Sequence, residues 1–215
     1  MRRKLNIGLL LGLTATKWSD GVADFFAMAT ANGHEVTMLD EDLSFYARAD
    51  FHAIITPGNS YGHMTGGLDQ AVVDLVGDWV EPLVRDTIQN DYCGELNVGS
   101  AFIATNLKSK FPHVVYAPTM RSPTHLPRGS DVPYTAMLAA LQAIHRWNDR
   151  NPDQPITNIL MPLFGVGTGM IPIPTALRQQ ARALARYSND KPIEHLFKDG
   201  KNTDQHLTET WPRRF

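Results

Sequence analysis

The chain has 215 residues, 43% of them hydrophobic and 20% charged, an ordinary make-up for one globular domain. Twenty Lys and Arg against 22 Asp and Glu leave a net charge of −2, and the basic residues gather only at Arg2-Arg3-Lys4 and Arg213-Arg214, so no general attraction to nucleic acid is expected. No apolar run reaches the ~20 residues that a membrane span needs, and the single cysteine, Cys93, excludes an intrachain disulfide and fits a reducing, cytoplasmic setting.

Met1 to Lys4 followed by the apolar run Leu5 to Leu13 imitates a signal peptide. Asn6 interrupts the run, however, and no small-x-small site follows before Trp18, so the run reads as a buried strand. Asp20 to Ala31 reads as a helix with Val22, Phe25, Phe26 and Ala29 on one face, ended by Asn32-Gly33. His34 to Leu39 and Phe51 to Thr56 are the next strands. Asp69 opens a helix that Gly77 stops, with a second helical stretch over Val80 to Asn90. Cys93, just beyond it, reads as a small buried or half-buried side chain rather than a nucleophile, since no His or Gly-rich turn activates it.

Ser100 to Thr105 and His113 to Ala117 are strand-like. Pro118 to Pro133 holds four prolines and reads as an irregular surface loop, after which Asp131 is placed to cap a helix over Tyr134 to Asn148. Ile156 to Leu163 is a buried strand, and Thr175 to Tyr187 a helix with Pro174 in its first turn. The tail after Ser188 is polar, with Ile193 to Phe197 as a last strand. Alternating strands and helices predict an α/β domain with a mixed, mostly parallel central sheet and helices on both faces, and ligands in such folds sit beyond the carboxyl ends of the strands.

Two glycine-rich loops fall at such ends. The first strand-to-loop segment is Ile54 to Asp69 (IITPGNSYGHMTGGLD) and the second is Leu160 to Pro172 (LMPLFGVGTGMIP). Backbone free of side chains at a strand-to-helix junction lets N–H groups close on an anion, and the helix N-terminus adds partial positive charge. Gly165, Gly167, Thr168 and Gly169 are thus candidates to hold a diphosphate, or else form a packing turn. The Asn59 amide both donates and accepts, which suits a pair of ribose hydroxyls or a tight turn. Asp69 is either an N-cap or a base kept ionised by the helix N-terminus. There is no G-x-x-x-x-G-K-[ST] loop, no G-x-G-x-x-G after the first strand, and no H-E-x-x-H or paired C-x-x-C, so neither an NTPase, a dinucleotide-binding fingerprint nor a metal site is expected.

These two segments together resemble the macro domain family. Its first hallmark is an apolar strand running into Asn, a glycine-rich loop and an acidic residue opening a helix, here AIITPGNSYGHMTGGLDQAV from Ala53 to Val72. Its second is a strand ending in Pro before a Gly-x-Gly-Thr-Gly loop, here MPLFGVGTGMIPIP from Met161 to Pro174. The resemblance implies a three-layer α/β/α sandwich in a single domain over 1–215. The core would span about 36–187, with 1–33 an added strand–helix unit and 188–215 a peripheral tail.

The resemblance also implies binding of ADP-ribose, free or on a protein, with no cofactor. Asn59 would hold the distal ribose and Asp69, ten positions on, would activate water there. Asp42 would accept from the adenine amino group or else belong to a solvated acidic turn, and Phe197 would stack on the ring. Gly62, Gly66 and Gly67 would wrap the distal ribose and a phosphate, and Gly58 would also belong to the ADP-ribose site. Gly165, Val166, Gly167, Thr168 and Gly169 would line the diphosphate, and Phe164 and Met170, flanking them, would wall the ribose or else belong to the core. The chain departs from the family where His63, Met64 and Thr65 break a glycine run, which places their side chains over or beside the ligand, His63 as a proton donor or merely exposed. Arg121 pairs with a phosphate or is a surface residue. Hydrolysis at the distal ribose competes with binding alone.

Overall fold

A computed structural model describes residues 3–11, 21–39, 43 and 50–189. Its strands are β1 (Asn6–Leu10), β2 (Glu35–Leu39), β3 (Ala53–Thr56), β4 (Phe102–Thr105), β5 (His113–Tyr116) and β6 (Asn158–Pro162). Its helices are α1 (Val22–Ala31), α2 (Gly67–Val76), α3 (Val80–Asp91), α4 (Val132–Arg150) and α5 (Ile173–Ser188). The sheet order is β2-β1-β6-β3-β5-β4, parallel throughout except for β4, which runs antiparallel to β5. β1, from the segment read as an added unit, lies between β2 and β6 and pairs in register with both, Leu9 opposite Met38 and Met161.

Both faces of the sheet are covered, which is why its central strands read as unbroken apolar runs. Along β6, Ile159 and Met161 join a core with α1, α4 and α5, while Leu160 joins a second core with α2 and α3. Period-2 alternation thus feeds two cores from one strand, and the result is a three-layer sandwich.

Three local expectations are corrected. α2 begins two residues before Asp69, with Gly66 as N-cap, so Asp69 is the third helical residue and caps nothing. Asp131 is the N-cap of α4 but makes no side-chain cap; its carbonyl accepts from Tyr134 and Thr135 instead. Cys93 is exposed, not buried, at a φ of 56° just past α3. The strand expected over Ile193 to Phe197 lies outside the described residues.

Candidate functional site

Beyond the carboxyl ends of β1, β3, β5 and β6 lies a cleft of about 700 Å³. Both glycine-rich loops border it, joined by Leu10 and Leu11 from the end of β1 and by Thr119, Met120, Ser122 and Pro123 after β5.

The first loop is held by an extension of the β3–β5 pairing. Ala117 donates to the Thr56 carbonyl, Thr119 to that of Gly58, and Ser60 to that of Met120. Tyr116, fully buried, then grips Asn59 by its main chain. Its hydroxyl accepts from the Asn59 N–H at 3.0 Å and donates to the Asn59 carbonyl at 2.7 Å. Burial pushes the phenol's pKa well above its ordinary value, so it stays a neutral donor. Gly58 is needed for this clamp, because a Cβ there would sit 2.2 Å from the Tyr116 hydroxyl.

The Asn59 side chain is buried and turned onto its own loop. Its oxygen accepts from Tyr61 N–H at 3.0 Å and His63 N–H at 3.4 Å, and its nitrogen donates to the His63 carbonyl at 2.7 Å. One amide hydrogen remains for a ligand. The interruption of the glycine run divides in two directions. Met64 is fully buried in the α2–α3 core and so does not lie over the cleft, whereas His63 and Thr65 are exposed and border it. Gly66 and Gly67 border it too, with open space where their side chains would be. Among the described residues no side chain caps α2, so its first N–H groups have no side-chain partner there.

Asp69 projects from that first turn into the cleft wall, and its Oδ1 accepts from Thr56 Oγ1 at 2.5 Å. Burial, aided by the negative charge of Glu81, lifts its pKa from 3.8 to about 6 against the lowering effect of the Thr56 bond. The helix N-terminus therefore does not hold this carboxylate at ordinary acidity. At neutral pH it is still mostly ionised, with a proton affinity suited to a general base.

The second loop starts from a buried clamp on α5. Gln180, with no exposed surface, accepts from Phe164 N–H at 2.9 Å and donates to the Pro162 carbonyl at 2.8 Å. Leu126 then braces the loop, donating its N–H to the Gly169 carbonyl and laying its side chain over Gly165 and Gly169. A Cβ on Gly169 would meet the Gly165 carbonyl at 2.5 Å, so this glycine serves the loop's own packing. Gly167 faces open space. Among the described residues, the N–H groups of Gly165, Val166, Gly167, Thr168 and Gly169 have no hydrogen-bond partner, and all five residues border the cleft.

Two expected contacts fail here. Phe164 is fully buried in the core and does not wall the cleft, and Met170, 66% exposed at a φ of 57°, lies outside the cleft lining. Arg121 is exposed and paired with Glu95 through two bonds of 2.8 and 2.9 Å, away from the cleft. Asp42 and Phe197 lie outside the described residues. Sequence reasoning missed Thr56, Tyr116 and Gln180, each a polar residue in an otherwise apolar pattern; that mismatch was the available signal. Among the described residues, no group of three or more His, Cys, Asp or Glu side chains is arranged to hold a metal ion, and no helix is long and apolar enough to cross a membrane.

The comparisons agree with this architecture. A protein of Aquifex aeolicus (strain VF5), itself uncharacterized, is 27% identical over 164 residues, covering 76% of this chain and 89% of that protein. The Oceanobacillus iheyensis macrodomain solved with ADP superposes with a TM-score of 0.55 at 13% identity, covering 80% of this chain and 90% of that one. The macrodomain of Mycobacterium tuberculosis DarG gives 0.55 at 18% identity, covering 72% and 91%. At such identities the solved structures establish the fold alone. The profile of the Macro-like domain family matches residues 22–188, from α1 to the end of α5, and the chain belongs to that family.

Proposed function

We propose that the cleft binds ADP-ribose or an ADP-ribose derivative and that Asp69 activates water to hydrolyse a bond at the distal ribose. Mono-ADP-ribosyl protein and O-acyl or phospho ADP-ribose are the substrate classes. The observation that carries the reading is the presence, in one cleft, of five N–H groups on the 165–169 loop that have no partner among the described residues and of the Asp69 carboxylate with its raised pKa. Backbone donors in a recessed cleft match a diphosphate without Lys or Arg, which is how a chain of net charge −2 takes an anionic ligand. Gly167 and Thr168 face the diphosphate, with Val166 at its side, while Gly66 and Gly67 leave room for the distal ribose. Asn59 shapes the loop and offers the ribose one N–H. The Oceanobacillus iheyensis macrodomain has been solved with ADP and, as a mutant, with ADP-ribose, and this supports the ligand class.

A second reading, a binder without turnover, is favoured by the Asn59 amide, whose oxygen is already occupied by its own loop. A release assay on protein mono-ADP-ribosylated at acidic residues, beside calorimetric titration with ADP-ribose, separates the two. Release that is lost in Asp69→Ala while binding persists supports hydrolysis. Tight binding with no turnover of protein, acyl or phosphate esters supports the binder. No affinity at millimolar ADP-ribose would refute both.

A further inference from the structure

We propose that Thr56 is a positioning residue for Asp69: its hydroxyl holds one carboxylate oxygen and leaves the other as the oxygen presented to the cleft. The inference rests on the hydrolytic reading above only for its catalytic consequence; the positioning itself is a statement about two side chains.

Thr56 is the last residue of β3, and all four residues of that strand are buried. An apolar side chain of the same shape would pack there equally well, so the hydroxyl calls for a reason. Among the described residues its side chain makes one hydrogen bond, and that bond goes to Asp69 Oδ1 at 2.5 Å. The bond joins two elements, β3 and α2, across 13 positions of chain, and so fixes the rotation of a carboxylate that borders the cleft. Among the described residues Oδ2 has no hydrogen-bond partner. A first-turn Asp left to itself turns its carboxylate back toward the free N–H groups of its own helix. The bond from behind opposes that rotation and keeps Oδ2 for a ligand or a water.

The other groups facing Asp69 act differently. Glu81, from α3, repels its charge, as would the Tyr116 phenolate from β5 if it formed, and His63 borders the same cleft from the loop. A hydroxyl that donates to the ionised carboxylate favours the charged form against Glu81 and burial. Removing it therefore raises the pH at which Asp69 titrates.

The test follows the Asp69 carboxyl carbon by NMR in the full chain from pH 4 to 8, with Asp69→Asn to assign the signal. Thr56→Val should move the midpoint up by about one pH unit, from the loss of a charge-assisted bond. Thr56→Ser should stay within about 0.3 of wild type, because it keeps the donor. Thr56→Ala, which introduces no bulk, is the second hydroxyl-free variant if Thr56→Val does not fold. In turnover, Thr56→Val should lower kcat about tenfold near pH 6, move the acid limb up by the same amount as the midpoint, and leave KM within about threefold. An unmoved midpoint in a folded hydroxyl-free variant, or a Thr56→Ser that shifts as far as Thr56→Val, would overturn the proposal. A shifted midpoint in a protein that binds ADP-ribose but turns over none of its esters would support the positioning and sink the hydrolytic reading instead.

Discussion

Replacing Asp69 by Asn should stabilise the protein at neutral pH, an uncommon outcome for a half-buried, hydrogen-bonded side chain. The carboxyl has a pKa of about 6 in the folded state against 3.8 for the ordinary group, raised first by burial. Between those values the folded protein holds a proton that the unfolded chain has released, so stability falls as pH rises through this window. The difference of about 2 pH units corresponds to a ceiling of roughly 3 kcal/mol, fully felt above pH 7. Because Asp69 borders the cleft and is only partly buried, about 1–3 kcal/mol is the expected gain in Asp69→Asn, whose amide oxygen can still accept from Thr56. For a domain of this length that is roughly 3–10 °C in Tm. Denaturant unfolding of both proteins at half-unit steps from pH 4 to 8 measures it. The gap should be widest at pH 7 to 8 and close toward pH 4. A variant less stable than wild type at pH 7, or a gap that does not change with pH, would refute the reasoning.

Three further outcomes follow from the geometry. Gly167→Trp should leave Tm nearly unchanged but abolish ADP-ribose binding by calorimetry, since the side chain enters open cleft; Gly169→Ala should instead destabilise by about 1–3 kcal/mol, because its Cβ meets the Gly165 carbonyl. Unchanged affinity in Gly167→Trp would remove the diphosphate from this loop. Gln180→Leu should cost roughly 2–4 kcal/mol in urea unfolding by leaving the buried Phe164 N–H and Pro162 carbonyl unpaired. His113, buried against Trp147, has its pKa lowered from 6.5 to about 4, chiefly by burial and further by His52. The unfolded chain takes that proton first, so stability should fall by roughly 3 kcal/mol from pH 6.5 to 4, and this part of the slope should vanish in His113→Gln.

Much of the fold was legible because each strand carried its own evidence. The runs around Ile54 and Leu160 are apolar without alternation, which is what a parallel strand covered on both faces requires. The helix at α4 was visible from the spacing of Met137, Leu138, Leu141 and Ile144, and that at α5 carried Pro174 at its first turn. The sequence is less direct about where polar side chains turn. Asn59 reads equally as a ribose ligand or a turn residue until its partners are known, and those partners, Tyr61 and His63, lie within four positions. Asp69 looks like an N-cap because caps are local, whereas its actual partner is Thr56, on another element. Met64 looked like part of the cleft because its neighbours are; only the core formed by α2 and α3 turns it inward.

The two loops share a composition but not a use of their backbone. In the first, Tyr116, Asn59 and Met120 take up the donors between Asn59 and His63, so that stretch is architecture, and among the described residues the donors without a partner lie near Gly66 and the start of α2. In the second, the clamps sit outside the turn, at Gln180 behind it and Leu126 beside it, and the donors from Gly165 to Gly169 have no partner among the described residues. Unpaired N–H groups are tolerated in a folded protein only where water or a ligand reaches them. A loop fixed at both ends and open in its middle presents several such donors without rearrangement, so little ordering remains to oppose binding. The glycines allow both constructions; the fixed partners around them decide which loop grips an anion and which one shapes the wall that carries Asp69.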